Sequence, residues 1–384
     1  MDTQGIIVLI ALFLVIMSSN RLNKKLSVID LFCGCGGLSL GFQQAGFDVL
    51  LGIDNDKAAL KTFRKNHNNS IIIDNDINYV TSSEIISLIN RKTVDVIVGG
   101  PPCQGLSLSG PRKFNDSRNH LFLSFVRIAS ELKPKAIVLE NVPGIASLYK
   151  GEIKNAIINE FDKIGYKASM YFLHAVDYGV PQIRKRIFFI GFRDSKTRFM
   201  PPYPTNGENG ILLSKKLHRF VTCGDALSDL PLLTHSLGVD VQEYISEPAN
   251  TYQKLMRKGS KKVYNHIGTN HSDKIKNIIS LVPEGGNYKD LPEEYKKTRN
   301  FNIAWTRYHR NLPAYTIDTG HRHYFHYKYN RVPTVREHAR LQSFPDTFIF
   351  YGSKGQQNRQ VGNAVPPLLG TAIAREIKKC LECM

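Results

Sequence analysis

The chain is expected to fold as an α/β protein, a doubly wound and mostly parallel sheet with helices on both faces, joined to a smaller irregular region. Three observations predict this. From Ser27 to about residue 140, short apolar runs alternate with helix-like stretches, which is the pattern of repeated β-α units. Asp54, Asp76, Cys103 and Glu140 each fall just after an apolar run, where such a sheet presents its ligand side. After Gly191 the periodicity fades into sequence rich in Lys, Tyr, Asn, Gly and Pro.

The elements follow in order. Ser27 to Phe32 reads as the first strand, a Gly-rich turn follows, and Leu38 to Ala45 reads as a helix. Phe47 to Ile53 is a second strand ending at Asp54, Lys57 to Asn66 a helix, and Ser70 to Ile73 a third strand. Ser82 to Asn90 is helical, and Val94 to Val98 is a fourth strand running into Gly99-Gly100-Pro101-Pro102-Cys103. His120 to Leu132 is helical, and Ala136 to Leu139 is a fifth strand ending at Glu140. Periodicity returns after about 305, and a last helix follows Gly362-Asn363-Ala364-Val365-Pro366-Pro367.

The 384 residues, 42% of them hydrophobic, suffice for two cores. The formal charge of +18 favours a polyanionic partner, since basic residues near phosphates release condensed counterions. Six cysteines in so long a chain are not a disulfide scaffold, and their spacing offers no paired metal half-sites. No metal is expected, and a reducing cytoplasm fits. Residues 1–26 form an N-terminal extension holding the apolar run Ile6 to Met17, too short to span a bilayer comfortably. It reads best as the product of an upstream start codon, with Met17 as the natural start. A weak anchor and a helix packed on the body remain the other readings.

Two motifs carry chemistry. Phe32-x-Gly34-x-Gly36-Gly37 lets the backbone approach a ligand closely, and Asp54 closes the next strand where ribose hydroxyls would lie. The spacing is not GxGxxG, which argues against an NAD-dependent oxidoreductase. The second motif sets Cys103 behind two prolines that stiffen the exit from a strand, a place for an activated thiolate and not for a core filler.

With these stretches the chain resembles the DNA cytosine-5 methyltransferases of bacterial restriction–modification systems. The matching segments are DLFCGCGGLSLGF (30–42), GIDND (52–56), NDI (75–77), GGPPCQGLS (99–107), LENVPG (139–144), QIRKRIFFIG (182–191), TVREHARLQSFPD (334–346) and VGNAVPPLLG (361–370). The resemblance implies a Rossmann-like S-adenosylmethionine-dependent methyltransferase fold. It implies a catalytic and cofactor-binding domain over 27–192, a target-recognition domain over 193–305, and a return to the catalytic domain over 306–384. Cys103 would add to C6 of a flipped cytosine, with Glu140 contacting its N3 and amine and Arg184 and Arg186 placed near both.

For the cofactor, the resemblance implies Phe32 against the adenine, Asp54 on the ribose and Asp76 on the adenine amine. Gly34, Gly36, Asn55, Ile77, Pro102, Asn363 and Ala364 would complete the pocket. Gln104, Ser107 and Ser109 would contact DNA from the loop after Cys103. The implied partner is double-stranded DNA, with a monomeric enzyme, no obligate protein partner, and a cognate restriction endonuclease related by function. Residues 193–300 carry 17 basic and 12 acidic residues, so charge alone does not single that region out. Lys258, Lys261, Lys262 and His266 are candidates to meet phosphates or bases, and Arg257 to read guanine. Arg310 and Thr316 are expected to help pack the two regions. A tRNA cytosine-5 methyltransferase of the same architecture and a non-enzymatic DNA-binding protein are the alternatives. The Cys after Pro-Pro argues against amino-group DNA methyltransferases.

Overall fold

A computed structural model describes residues 25–91, 93–102, 120–147, 151–208, 211–212, 215–233, 236–296, 305–320 and 323–384. The run Ile6 to Met17, Cys103, Gln104, Ser107 and Ser109 lie outside the described residues.

The elements of the first half are β1 (Ser27–Asp30), α1 (Gly37–Gln44), β2 (Asp48–Asp54), α2 (Lys57–Asn66), β3 (Ile71–Asp74), α3 (Ser82–Ile89), β4 (Val96–Gly99), α4 (His120–Leu132), β5 (Ala136–Asn141), α5 (Glu152–Lys163), β6 (Lys167–His174), β7 (Gln182–Ile183) and β8 (Lys185–Phe192). Seven strands form one sheet in the order β3-β2-β1-β4-β5-β8-β6. Neighbours from β3 through β5 pair in parallel, whereas β8 runs antiparallel to both β5 and β6. The expected mostly parallel sheet is present, with β8 reversed.

Side chains of a strand alternate faces, and here both faces are covered. Along β5, Ile137 and Leu139 enter one apolar cluster while Ala136 and Val138 enter the other. The same alternation runs along β8, with Ile187 and Phe189 on one face and Phe188 and Ile190 on the other. Helices α3, α4 and α5 supply the first cluster through Ile85, Phe125 and Phe161.

Beyond Phe192 come α6 (Cys223–Leu227), α7 (Thr251–Arg257), α8 (Asp273–Leu281), α9 (Glu293–Lys296), α10 (Val335–Leu341), α11 (Lys354–Asn363) and α12 (Pro367–Glu382), with only two- and three-residue strands among them. From residue 306 the chain packs in two directions. Tyr308, Ala314, Ile317, Tyr324 and Leu341 pack in one cluster with Cys223, Leu230 and Val263. Phe325 and Val332 pack with Ile278, Ile279 and Leu291. Part of 306–341 thus shares clusters with the irregular region, while Val335 and Ala339 of α10 pack with Cys35 and Leu40 of the sheet half, together with Phe344, Phe348, Phe350 and Val361. α12 also packs on the sheet half: Ile373 and Ile377 join the second sheet cluster, and α12 crosses α1 where Gly41 meets Gly370. A Cβ on Gly41 would sit 2.6 Å from the Gly370 carbonyl carbon, so two glycines set how closely these helices approach.

Candidate active site

The strand order reverses between β1 and β4, and a cavity of about 450 Å³ opens there beyond the strand carboxyl ends. The residues following β1, β2, β3, β4 and β5 all reach it, joined by Asn363 to Val365 after α11.

The first wall is the glycine loop. Gly36 adopts φ +96°, and a Cβ there would lie 2.3 Å from His67 Nε2, so neither the conformation nor the space admits a side chain. His67 supports the loop from behind. Its Nε2 is 3.2 Å from the Gly36 carbonyl, its Nδ1 is 3.0 Å from the Gln43 side chain, and its ring stacks on Phe63. Burial holds this histidine's pKa down at about 4, so it is neutral at physiological pH. Gly36 itself lies behind the wall, while Phe32, Gly34 and Gly37 face the cavity.

The two cysteines of this loop are buried free thiols. Burial pushes the Cys35 thiol up to about 12 and the Cys33 thiol well above its ordinary value, so neither is a thiolate nucleophile.

Asp54 does two things at once. One carboxylate oxygen accepts from the Gly34 N–H at 2.8 Å, and the other accepts from the Asn55 and Asp56 N–H groups at 2.9 Å. It thereby pins the glycine loop to the start of α2, which Asp56 caps by accepting from Ala58 and Ala59. Burial raises the Asp54 pKa, and these three N–H donors oppose the rise. Deeper in, Asp30 is fully desolvated. Burial lifts its pKa to about 7 against the Ser39 hydroxyl, which donates to it at 2.7 Å.

The far wall carries Glu140 and Arg186. Arg186 Nε lies 3.0 Å from Glu140 Oε1, and both side chains are 12% exposed. Burial raises the Glu140 pKa, opposed by Arg186 and then Arg184. Gly100 leaves room for this carboxylate, since a Cβ there would stand 2.9 Å from Glu140 Oε2. Asn141 donates from Nδ2 to the Pro101 carbonyl at 3.3 Å and fixes the turn that leads to Cys103.

The structure thus gathers Phe32, Gly34, Asp54, Asn55, Asp76, Ile77, Pro102, Asn363 and Ala364 with Glu140 and Arg186 around one cavity. Arg184 is placed differently. It is fully buried outside the cavity lining, and its guanidinium donates to the carbonyls of Ile317, Gly362 and Ala364. Two surface expectations are also corrected. His266 is buried, bonded to Thr334 and the Pro231 carbonyl. Arg257 stacks 3.7 Å over Tyr244 and donates to the Ser246 carbonyl, so its guanidinium is engaged within the fold. Arg310 pairs with Glu284, and Thr316 donates to the Ile183 carbonyl. Sequence reasoning missed Asp30, Asn141 and Arg359, all of which line the cavity. Asn141 could have been found from its place directly after Glu140 at a strand end. Nothing in the local sequence marks His67.

The lining suits an adenosine-type sulfonium ligand. Phe32, Ile53, Ile77 and Val365 give apolar surface for a purine, and Asp54 and Asp76 offer acceptors for hydroxyls, amines and a cation.

Comparison with known proteins agrees. The family described as C-5 cytosine-specific DNA methylase matches residues 26–379. The Type II methyltransferase M.DdeI of Desulfomicrobium norvegicum is 38% identical over 380 residues, covering 93% of this chain and 89% of that one. The Type II methyltransferase M1.HphI of Haemophilus parahaemolyticus is 38% identical, covering 92% and 87%. Among solved structures, a prophage-encoded candidate DNA modification methyltransferase from E. coli superposes with a TM-score of 0.75 at 30% identity, over 93% of this chain and all of that one. The S. pombe Dnmt2 methyltransferase, at a TM-score of 0.57 and 16% identity, shares the fold. The chain belongs to the C-5 cytosine-specific DNA methylase family.

Proposed function

We propose that this protein methylates C5 of a cytosine within a short specific sequence of double-stranded DNA, and that in its host this shields the DNA from a cognate restriction endonuclease. The observation that carries the mechanism is the Glu140–Arg186 pair beside the Pro-Pro turn that runs into Cys103.

S-adenosylmethionine, when bound, supplies an electrophilic methyl group on its sulfonium. These residues would hold it: Phe32 and Ile77 against the adenine, Asp76 at its amine, Asp54 at the ribose hydroxyls, and Gly34 and Asn363 toward the amino-acid end. The target cytosine leaves the duplex stack, because Cys103 cannot reach C6 inside it. The Cys103 thiolate adds to C6, forming a C–S bond and making C5 nucleophilic. Glu140, whose pKa burial raises, holds a proton for N3 and accepts from the exocyclic amine. Arg186 orients Glu140 and sets positive charge beside the thiolate. Once C5 is methylated, with the donor's S–CH3 bond broken and its thioether released, loss of the C5 proton to a base and cleavage of the C6–S bond would restore the aromatic ring and free Cys103. Gln104, Ser107 and Ser109 follow Cys103 toward the DNA backbone, residues 193–305 read the site, and the enzyme acts as a monomer in the cytoplasm.

The test is methyl transfer from labelled S-adenosylmethionine to plasmid DNA and, separately, to tRNA, by wild type and Cys103→Ser. Label in plasmid DNA that disappears in the variant is expected. Label in tRNA alone would defeat the DNA reading, and an active Cys103→Ser protein would defeat the mechanism.

A further inference from the structure

Residues 182, 184 and 186 alternate along one short stretch, and their side chains have three different destinations. Gln182 is fully buried: its Nε2 donates to the Leu341 carbonyl and the Gln342 side chain, and its Oε1 accepts from the Ile317 N–H. Arg186 meets Glu140. Arg184, between them, makes no ion pair among the described residues. Nη1 donates to the Ile317 carbonyl at 3.2 Å, and Nη2 donates to Gly362 at 2.7 Å and Ala364 at 3.1 Å. Its buried Nε has no partner among the described residues.

The three carbonyls belong to two separate pieces of chain. Ile317 is part of the segment that closes the irregular region's core. Gly362 and Ala364 flank Asn363 in the cavity wall. These pieces already touch, since a Cβ on Gly362 would lie 2.4 Å from the Asp318 carbonyl oxygen. From the second side, Gln342 Nε2 donates to Val361 and Ala364. Arg184 holds both pieces from beneath, one nitrogen on each. A planar guanidinium with several donors can do this at once, whereas an ammonium is a single point.

We propose that Arg184 is a positioning residue and not a catalytic one. It fixes the Gly362–Ala364 wall against the returning segment and so sets affinity for the cofactor, leaving the chemistry to Glu140, Arg186 and Cys103. This rests on the reading of the cavity as the S-adenosylmethionine site.

The experiment compares wild type with Arg184→Lys, which keeps the buried charge but cannot bridge three carbonyls. Calorimetry with S-adenosylhomocysteine gives affinity, initial rates on plasmid DNA give KM and kcat, and a thermal melt reports folding. Loss of one or two charge-assisted hydrogen bonds to the wall predicts a Kd and a KM for the cofactor raised about tenfold or more. The kcat at saturating cofactor should stay within about threefold. Unchanged S-adenosylhomocysteine affinity with kcat down about a hundredfold would overturn the proposal and make Arg184 part of the reacting site. Should the lysine variant fail to fold, Arg184→Gln, which also removes the buried charge, gives the same readings. If neither variant melts cooperatively, Arg184 is a fold determinant and the inference is lost. Wild type failing to bind S-adenosylhomocysteine would instead overturn the reading of the cavity.

Discussion

The sheet half and the irregular half are held together by different physics. In the sheet half, backbone groups pair along ladders, and large apolar clusters cover both faces. In the irregular half there are few ladders, and buried carbonyls need other donors. Arginines supply them. Arg307 donates to the carbonyls of Ile279, Val282, His326 and Tyr329 and to Asn330. Arg336 donates to Tyr264, Pro345 and Phe348. Arg340, fully buried, forks onto Asp346 at 2.6 Å with two nitrogens and reaches Asp229 at 3.0 Å. Arg331 and Glu337 form a second buried fork at 2.7 Å. A region short of regular secondary structure satisfies its backbone with multidentate side chains, and its cohesion becomes electrostatic.

That contrast can be broken most directly at Arg340. Arg340→Met removes the main partner of the buried Asp229 and Asp346 carboxylates, leaving Arg257 to the first and Tyr244 and Arg336 to the second, and should cost about 3–5 kcal/mol. Denaturant unfolding measures it, and a loss under about 1 kcal/mol would mean the ion knot does not hold this half. Next is Glu140, a polar residue at the edge of the apolar half. Glu140→Gln should slow methyl transfer by about a hundredfold or more while S-adenosylhomocysteine affinity stays near wild type. If affinity falls with rate, the edge carboxylate is structural.

A smaller effect follows from His67. Its folded pKa of about 4 lies below the ordinary 6.5. The unfolded chain therefore binds a proton first as pH drops, so this share of stability is full above pH 6.5 and is lost progressively toward pH 4. The slope is about 1.4 kcal/mol per pH unit, or about 2 kcal/mol by pH 5. Melting curves from pH 7 to 5 should fall more steeply for wild type than for His67→Gln. Parallel curves would show that the histidine titrates normally. The smallest effect belongs to the loop cysteines: replacing Cys33 and Cys35 together with Ala should change the methylation rate by less than about twofold, because neither thiol is ionised. Lost activity with normal cofactor binding would give these sulfurs a role the geometry does not.

Strands β1, β2, β4 and β5 were legible because each lies between covered faces and so reads as a short apolar run, whereas β6, mostly exposed or half-buried, carries no such signal and goes unpredicted. The carboxylates Asp54, Asp76 and Glu140 were legible because strand ends on a parallel sheet converge. Partners far along the chain were not. Arg184 reads like any strand-edge cation, yet the oxygens it serves are 133 to 180 residues away. Residues 306–341 divide between the two halves: Tyr308, Ile317 and Leu341 are buried with the irregular region, Val335 and Ala339 against Cys35 and Leu40.

The sequence by itself determined the alternating β-α frame, the acidic rim at its carboxyl edge, and the family those motifs announce. Only the tertiary structure decided which of two neighbouring arginines reaches the cavity, which basic residues of the second region are buried, and where the chain from 306 packs. Apolar periodicity is a local record of burial, whereas a charged side chain has the same letter whether it faces water, a ligand or a stranded carbonyl. Its role is set by what the rest of the chain brings to it.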